Sequence, residues 1–253
     1  KQDGMVTWKF HANNVRDAVW CTSPEYQWDA TSWHGILAQA YYRSAAVAGW
    51  NEAADMVRMS IQEYSERWFP YPYPQASAVE GPVRGMEYPM LSMDDGGQGP
   101  GLYTTITHET GHNWFPMIVG SNERMHTWMD EGFNTFINTF SEARRYPQNG
   151  DQAARGGNAV RQLGQMMLRG QDQVLETGHV VGNSGAQYFK TGAVLEMLRS
   201  GVMGPDVFDK GFHTYIREWA YKHPTPMDFF RTMAAAYGHN LDWFWREWFY
   251  TTA

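Results

Sequence analysis

The stretch His108-Glu109-Thr110-Gly111-His112 constrains this chain more than any other. Histidines four residues apart fall on one helix face, one turn from each other, with a carboxylate beside them. The chain must therefore form a helix here and bring a further metal ligand to that face from elsewhere. Glu131, 19 positions after His112, is the candidate: a helix, a turn and the start of a second helix return its carboxylate to the two imidazoles. Two His and one Glu leave a fourth coordination position for water, which a catalytic zinc site needs and a structural one does not. One zinc ion is expected on His108, His112 and Glu131. Glu109, too close in sequence to share the ligation, is placed to act as general base.

Bulk composition excludes several partners. A net charge of −7, with no basic tract, argues against nucleic acid. No run of 18 apolar residues predicts a membrane span, and no N-terminal signal pattern is present. The 253 residues suffice for one large domain, expected as a strand-rich part over 1–100 and a helical part over 101–253. Aromatic residues reach 15%, enough to build a core and also to line an apolar pocket. The single cysteine, Cys21, leaves the redox compartment open. The chain opens on Lys1-Gln2-Asp3 without methionine, from which a longer gene product and an exported location are expected.

Periodicity sketches the elements around the motif. Residues 5–28 alternate and are rich in β-formers, which predicts strands; another is expected around Ala38–Ala46. Ala45 to Trp68 has helical spacing and ends at the Phe69-Pro70-Tyr71-Pro72 run. Gln75–Val79 and Met86–Met93 read as strands. Helices are expected over Leu102–Phe115, Trp128–Tyr146, Ala159–Leu168, Ala186–Met203, Pro205–Tyr221, Thr225–Tyr237 and Leu241–Tyr250. Pro116 should end or kink the motif helix just past His112, and Thr225 should cap its helix. Polar loops are expected over Gln148–Gly157 and Arg169–Gly185.

His108 to Phe115, followed by Trp128-Met129-Asp130-Glu131-Gly132-Phe133, resembles the gluzincin family of aminopeptidase N and leukotriene A4 hydrolase. The spacing matches that family's pattern, and Asp130 stands where the family usually has Asn. Upstream, Gly85-Met86-Glu87-Tyr88-Pro89 resembles the family's exopeptidase signature, with Tyr88 in place of Asn. The resemblance implies that Glu87, flanked by Gly85 and Met86, pairs with the substrate's free α-ammonium. Downstream, Gln187-Tyr188-Phe189-Lys190 is similar to the family's Tyr-Glu-Lys segment and implies Tyr188 as the oxyanion donor. Lys190 reads as an ion-pair residue.

The implied fold is α+β: a thermolysin-like catalytic domain with a small mixed sheet in its N-terminal half and helices beyond. The family's N-terminal β domain and C-terminal helical domain are not in this sequence. The implied function is a zinc aminopeptidase acting on peptides with a free N-terminus. A thermolysin-like endopeptidase, or a peptide-binding module with vestigial activity, are the rival readings. Glu123, Asp130 and Glu142 stand as candidate partners for the ligand imidazoles, with no choice among them from sequence.

Overall fold

The computed structural model describes residues 5–94, 97–149, 157–179 and 184–252. Its first half is a five-stranded mixed sheet in the order β1-β2-β3-β5-β4, built from Tyr26–Trp33 (β1), Ile36–Arg43 (β2), Gln75–Glu80 (β3), Met86–Tyr88 (β4) and Leu91–Asp94 (β5). β1 and β2 form an antiparallel hairpin turned at His34-Gly35, both with positive φ, the backbone that suits the right-handed strand twist. β2 to β3 is a parallel step, and the connecting helix Ala53–Arg67 (α1) covers the sheet. β4 and β5 form the antiparallel far edge.

Of the stretch 5–28 expected as strands, only Tyr26–Trp28 lies in one, at the start of β1. Residues 6–25 lie in no strand, and Met5, Trp8, Phe10 and Trp20 are between 69% and 78% exposed. Alternation makes a strand only where a partner edge and a core surface are available, and this segment has neither among the described residues. Met86–Met93 is broken by Pro89-Met90 into two strands that pair with each other. The helix expected from Ala45 shrinks to short turns before α1. The Gln148–Gly157 loop, and the end of the segment before Ala186, lie mostly outside the described residues.

The second half is helical. Gly99–Gly111 (α2) carries the motif and has a proline in its first turn, where a missing N–H costs nothing. It gives way to a π-helical turn, Asn113–Ile118, in which Phe115 is extended (φ −132°, ψ 106°), so the helix breaks directly after His112 as Pro116 requires. A second π turn, Trp128–Gly132, opens Phe133–Arg145 (α3). Gly157–Leu168 (α4) follows. A third π turn, Ala186–Lys190, then leads into Thr191–Met197 (α5) and a further turn over Leu198–Met203. Pro205–Trp219 (α6), Pro226–Tyr237 (α7) and Asp242–Phe249 (α8) close the chain. Asp228 accepts the Thr225 N–H at 2.8 Å, a capping box at the head of α7.

The aromatic excess goes mainly into the core. Phe133 packs on Phe115, Trp128, Phe212, Tyr215 and Phe229, and joins α3 to the closing helices. No helix among the described residues is long and apolar enough to cross a membrane.

Candidate metal centre and cleft

The face of α2 that carries His108 and His112 looks across at the π turn holding Glu131. His108 Nε2 and His112 Nε2 lie 3.1 Å apart; Glu131 Oε2 lies 3.1 Å from the first and 3.4 Å from the second. His108 Nδ1 sits 2.8 Å from Asn138 Oδ1, and His112 Nδ1 sits 2.8 Å from Phe115 O. Both partners are acceptors, so each Nδ1 carries the hydrogen and each Nε2 presents a lone pair. Two lone pairs and a carboxylate converging this closely repel one another unless a cation lies among them. Tetrahedral zinc with bonds of roughly 2.0–2.1 Å separates its ligand atoms by roughly 3.3–3.4 Å, so the donor set fits that ion.

The surrounding carboxylates favour positive charge at the same place, whether a proton or a metal ion brings it. Burial alone would raise the Glu131 carboxyl, but the imidazoles of His108 and His112 beside it hold it well below its usual range. Burial disfavours protonated His112; Glu87 and Asp130 outweigh that and push it well above the ordinary imidazole value. Asp130 Oδ1 lies 2.8 Å from His112 Nδ1, beside the in-line bond to Phe115 O. Of the three carboxylates considered from sequence, Asp130 is thus the one beside an imidazole of the candidate trio. Glu123 pairs instead with Arg16, and Glu142 takes a hydrogen bond from Thr104 Oγ1 at 3.0 Å. Glu87, His112 and Asp130 also bring one ligand atom each within 4.8 Å of one another, but they share His112 with the first trio and cannot fill independently of it.

Glu109 is 6% exposed, and its Oε2 has no hydrogen-bond partner among the described residues. Burial pushes its carboxyl up to about 8, with His112 opposing and Glu87 and Glu131 adding to the rise. Its Oε1 packs on the backbone of Gly85, whose φ is +85°; a Cβ there would stand 2.7 Å from that oxygen. Only glycine accommodates both the left-handed backbone and this approach. Asp94, wholly buried at the end of β5, accepts from Ser92 Oγ at 2.8 Å; burial and then Glu109 push its carboxyl well above the usual range.

Tyr188, on the third π turn, donates to Glu131 Oε1 at 2.6 Å, and its ring stacks on His108. Two residues on, fully buried Lys190 binds Asp172, Gln173 O and Thr251 O, so its ion pair is structural. Gly85, Met86, Glu87, His108, Glu109, His112, Glu131 and Tyr188 all line one cleft of about 570 Å³.

Behind the ligands lies a buried polar seam that the sequence reading missed. Asn138 joins His108 to Tyr64 OH (2.9 Å) and Asn134 Oδ1 (3.2 Å). Thr107 Oγ1 meets Ser60, Tyr64 and Ser141 hydroxyls at 2.7–2.8 Å, and Tyr103 closes on Ser141 at 2.6 Å. Gly111 permits this contact: a Cβ there would stand 2.1 Å from Asn134 Oδ1. The available signal was polar residues at 134, 138 and 141, which share one face of that helix.

Residues 100–248 match the model of the peptidase family M1 domain. The chain is 25% identical to aminopeptidase N of Plutella xylostella over 217 residues, 73% of this chain and 22% of that protein. It is 22% identical over 219 residues to probable aminopeptidase 1 of Sulfurisphaera tokodaii, 76% of this chain and 27% of that protein. An M1 zinc metallopeptidase from Deinococcus radiodurans superposes with a TM-score of 0.71 at 17% identity, covering 90% of this chain and 52% of that one. A mutant of that enzyme was crystallised with a Tyr-Ser-Ala substrate. This chain therefore spans about a quarter of the length of those relatives and about half of the solved neighbour.

Proposed function

The chain belongs to peptidase family M1, and from that membership we propose that it is a zinc-dependent aminopeptidase removing the N-terminal residue of peptides. His108, His112 and Glu131 would hold the ion. When bound, zinc supplies Lewis acidity, which polarises a scissile carbonyl and makes water nucleophilic near neutral pH. Glu109, with an unpaired oxygen facing the cleft, takes the proton of the attacking water and hands it to the departing amine. Its raised affinity for a proton suits both halves of that transfer. The Tyr188 hydroxyl, held beside the ligand set by Glu131, is the donor for the developing oxyanion.

Restriction to the N-terminal bond rests on one observation: Glu87 lies in the same cleft, within reach of His112 and Asp130. A carboxylate fixed about one residue's length from the scissile bond pairs with an α-ammonium, so a peptide must begin there. An endopeptidase would have no use for it. Free and N-acetylated versions of one peptide separate the two cases. Zinc-dependent cleavage of the free form, with the acetylated form slower by at least ~100-fold, is expected. Equal cleavage would remove the role given to Glu87. Glu109→Gln should abolish turnover with zinc affinity retained.

A further inference from the structure

Of the four carboxylates lining the cleft, Glu142 alone is unassigned, and it stands at the end opposite Glu87. Glu142 lies on α3 at the 134–138–142 spacing, one turn beyond the asparagine that holds His108. It is held by Thr104 of the neighbouring helix, one turn before His108 on α2. An α-helix rises about 6 Å over four residues, so Thr104, His108 and His112 mark successive steps along the cleft. Glu87 stands at the His112 end and Glu142 at the Thr104 end, with the metal ligands between them.

Glu142 is also an acid without a cation. Its one hydrogen bond comes from Thr104, and it forms no ion pair among the described residues. The two arginines that follow it are engaged elsewhere: Arg144 binds Glu63 and Glu66, and Arg145 binds Glu52 and Asp55. Burial raises its carboxyl, which Thr104 and His108 only partly offset. A part-buried carboxylate in a substrate cleft is satisfied best by a cation that arrives with the substrate.

We propose that Glu142 selects a lysine or arginine as the second residue of the substrate, on the leaving side of the scissile bond. The proposal rests on the aminopeptidase reading. A peptide whose α-ammonium is fixed at Glu87 puts its first carbonyl among His108, His112 and Glu131. Each extended residue adds about 3.3–3.6 Å, so the second residue runs toward Thr104 and a long basic side chain reaches Glu142.

The test uses the zinc-loaded chain and three matched peptides, Ala-Lys-Ala, Ala-norleucine-Ala and Ala-Glu-Ala. Lysine and norleucine differ by the ammonium, so the ratio of their kcat/KM values reads the charge and cancels general damage. A ratio of about 10 is expected, the scale of one charge-assisted hydrogen bond at a partly exposed site. Glu142→Gln, which can still accept from Thr104, should bring it to about 1, and Glu142→Lys should turn the preference toward Ala-Glu-Ala. Calorimetric binding of the dipeptides Ala-Lys and Ala-norleucine to the zinc-loaded Glu109→Gln variant, with and without Glu142→Gln, gives the same comparison without turnover. Cleavage with a ratio near 1, or a ratio unmoved by Glu142→Gln, overturns the proposal and leaves the aminopeptidase reading standing. A lysine-dependent affinity lost in Glu142→Gln, without cleavage of any peptide, keeps the Glu142 subsite and overturns the aminopeptidase reading. Neither cleavage nor preference overturns both.

Discussion

Asn138→Ala is the sharpest perturbation of the metal centre that leaves every proposed ligand in place. The amide makes four contacts: it accepts from His108 Nδ1, and it reaches Tyr64 OH, Asn134 Oδ1 and Thr107 O. Truncation strands two groups. The His108 Nδ1–H loses its acceptor, and Asn134 Oδ1, in a residue that is 0% exposed, loses its donor. Tyr64 keeps its bond to Thr107 O at 2.9 Å, and Asn134 keeps its bond to His108 O at 2.8 Å. His108 keeps 18% of its side-chain surface exposed, whereas Asn134 is wholly enclosed. One unsatisfied buried group costs about 1–3 kcal/mol, which is the expected loss of apo stability.

Loss of the orienting acceptor should lower zinc affinity by about 10–100-fold, or about 1.4–2.8 kcal/mol. The two quantities are read separately, by chelator competition for zinc and by urea unfolding of the metal-free protein. Asn138→Asp provides the control. Its carboxylate still accepts from Nδ1 but faces Asn134 Oδ1, so zinc affinity should return while apo stability stays low. Unchanged zinc affinity in Asn138→Ala beside a lowered stability would refute the orienting role and leave Asn138 a packing residue.

Three further outcomes follow from the site and its supports. Tyr188→Phe should lower kcat by about 10²–10³-fold, the scale of one oxyanion donor, with zinc affinity changed by less than ~10-fold; a near-normal kcat would refute the donor role. Lys190→Met removes the buried ammonium paired with Asp172 and should cost about 3–5 kcal/mol in urea unfolding, and a loss under ~1 kcal/mol would contradict the buried pair. Asp94→Asn should flatten the pH dependence of stability. Because burial and Glu109 raise the folded carboxyl above its unfolded value of about 3.9, the wild-type contribution is full below that value and is lost as pH rises through the folded one. Unfolding midpoints that decline equally in both proteins between about pH 4 and 8 would reject that origin.

The chemistry of this chain is more legible in its sequence than its architecture is. His108, Glu109 and His112 are fixed relative to one another by a single helical turn, and Glu131 returns over a short excursion, so local spacing carried the geometry. The sheet is a different case. The pairings of β2 with β3 and of β3 with β5 are parallel and non-local, and alternation does not encode which edges meet. The same limit made residues 6–25 look like strands, although they join no sheet edge among the described residues. The π turns under Glu131 and Tyr188 were invisible to a period of 3.6, which treats Trp128–Tyr146 as one helix. Asp130 beside His112 was on the sequence shortlist, but choosing it over Glu123 and Glu142 required knowing which face each residue turned to.

The hydroxyl seam of Ser60, Tyr64, Tyr103, Thr107 and Ser141 acts as an index between helices. Apolar ridges tolerate small rotations and slides, because a methyl group packs nearly as well half a step away. A hydrogen bond of 2.6–2.8 Å does not tolerate them. By tying α1, α2 and α3 at one level, the seam sets the rotational phase at which His108 and His112 face the turn carrying Glu131. Its worth lies in alignment more than in cohesion. An all-aliphatic seam of equal volume could hold the helices together as firmly while allowing them more than one phase.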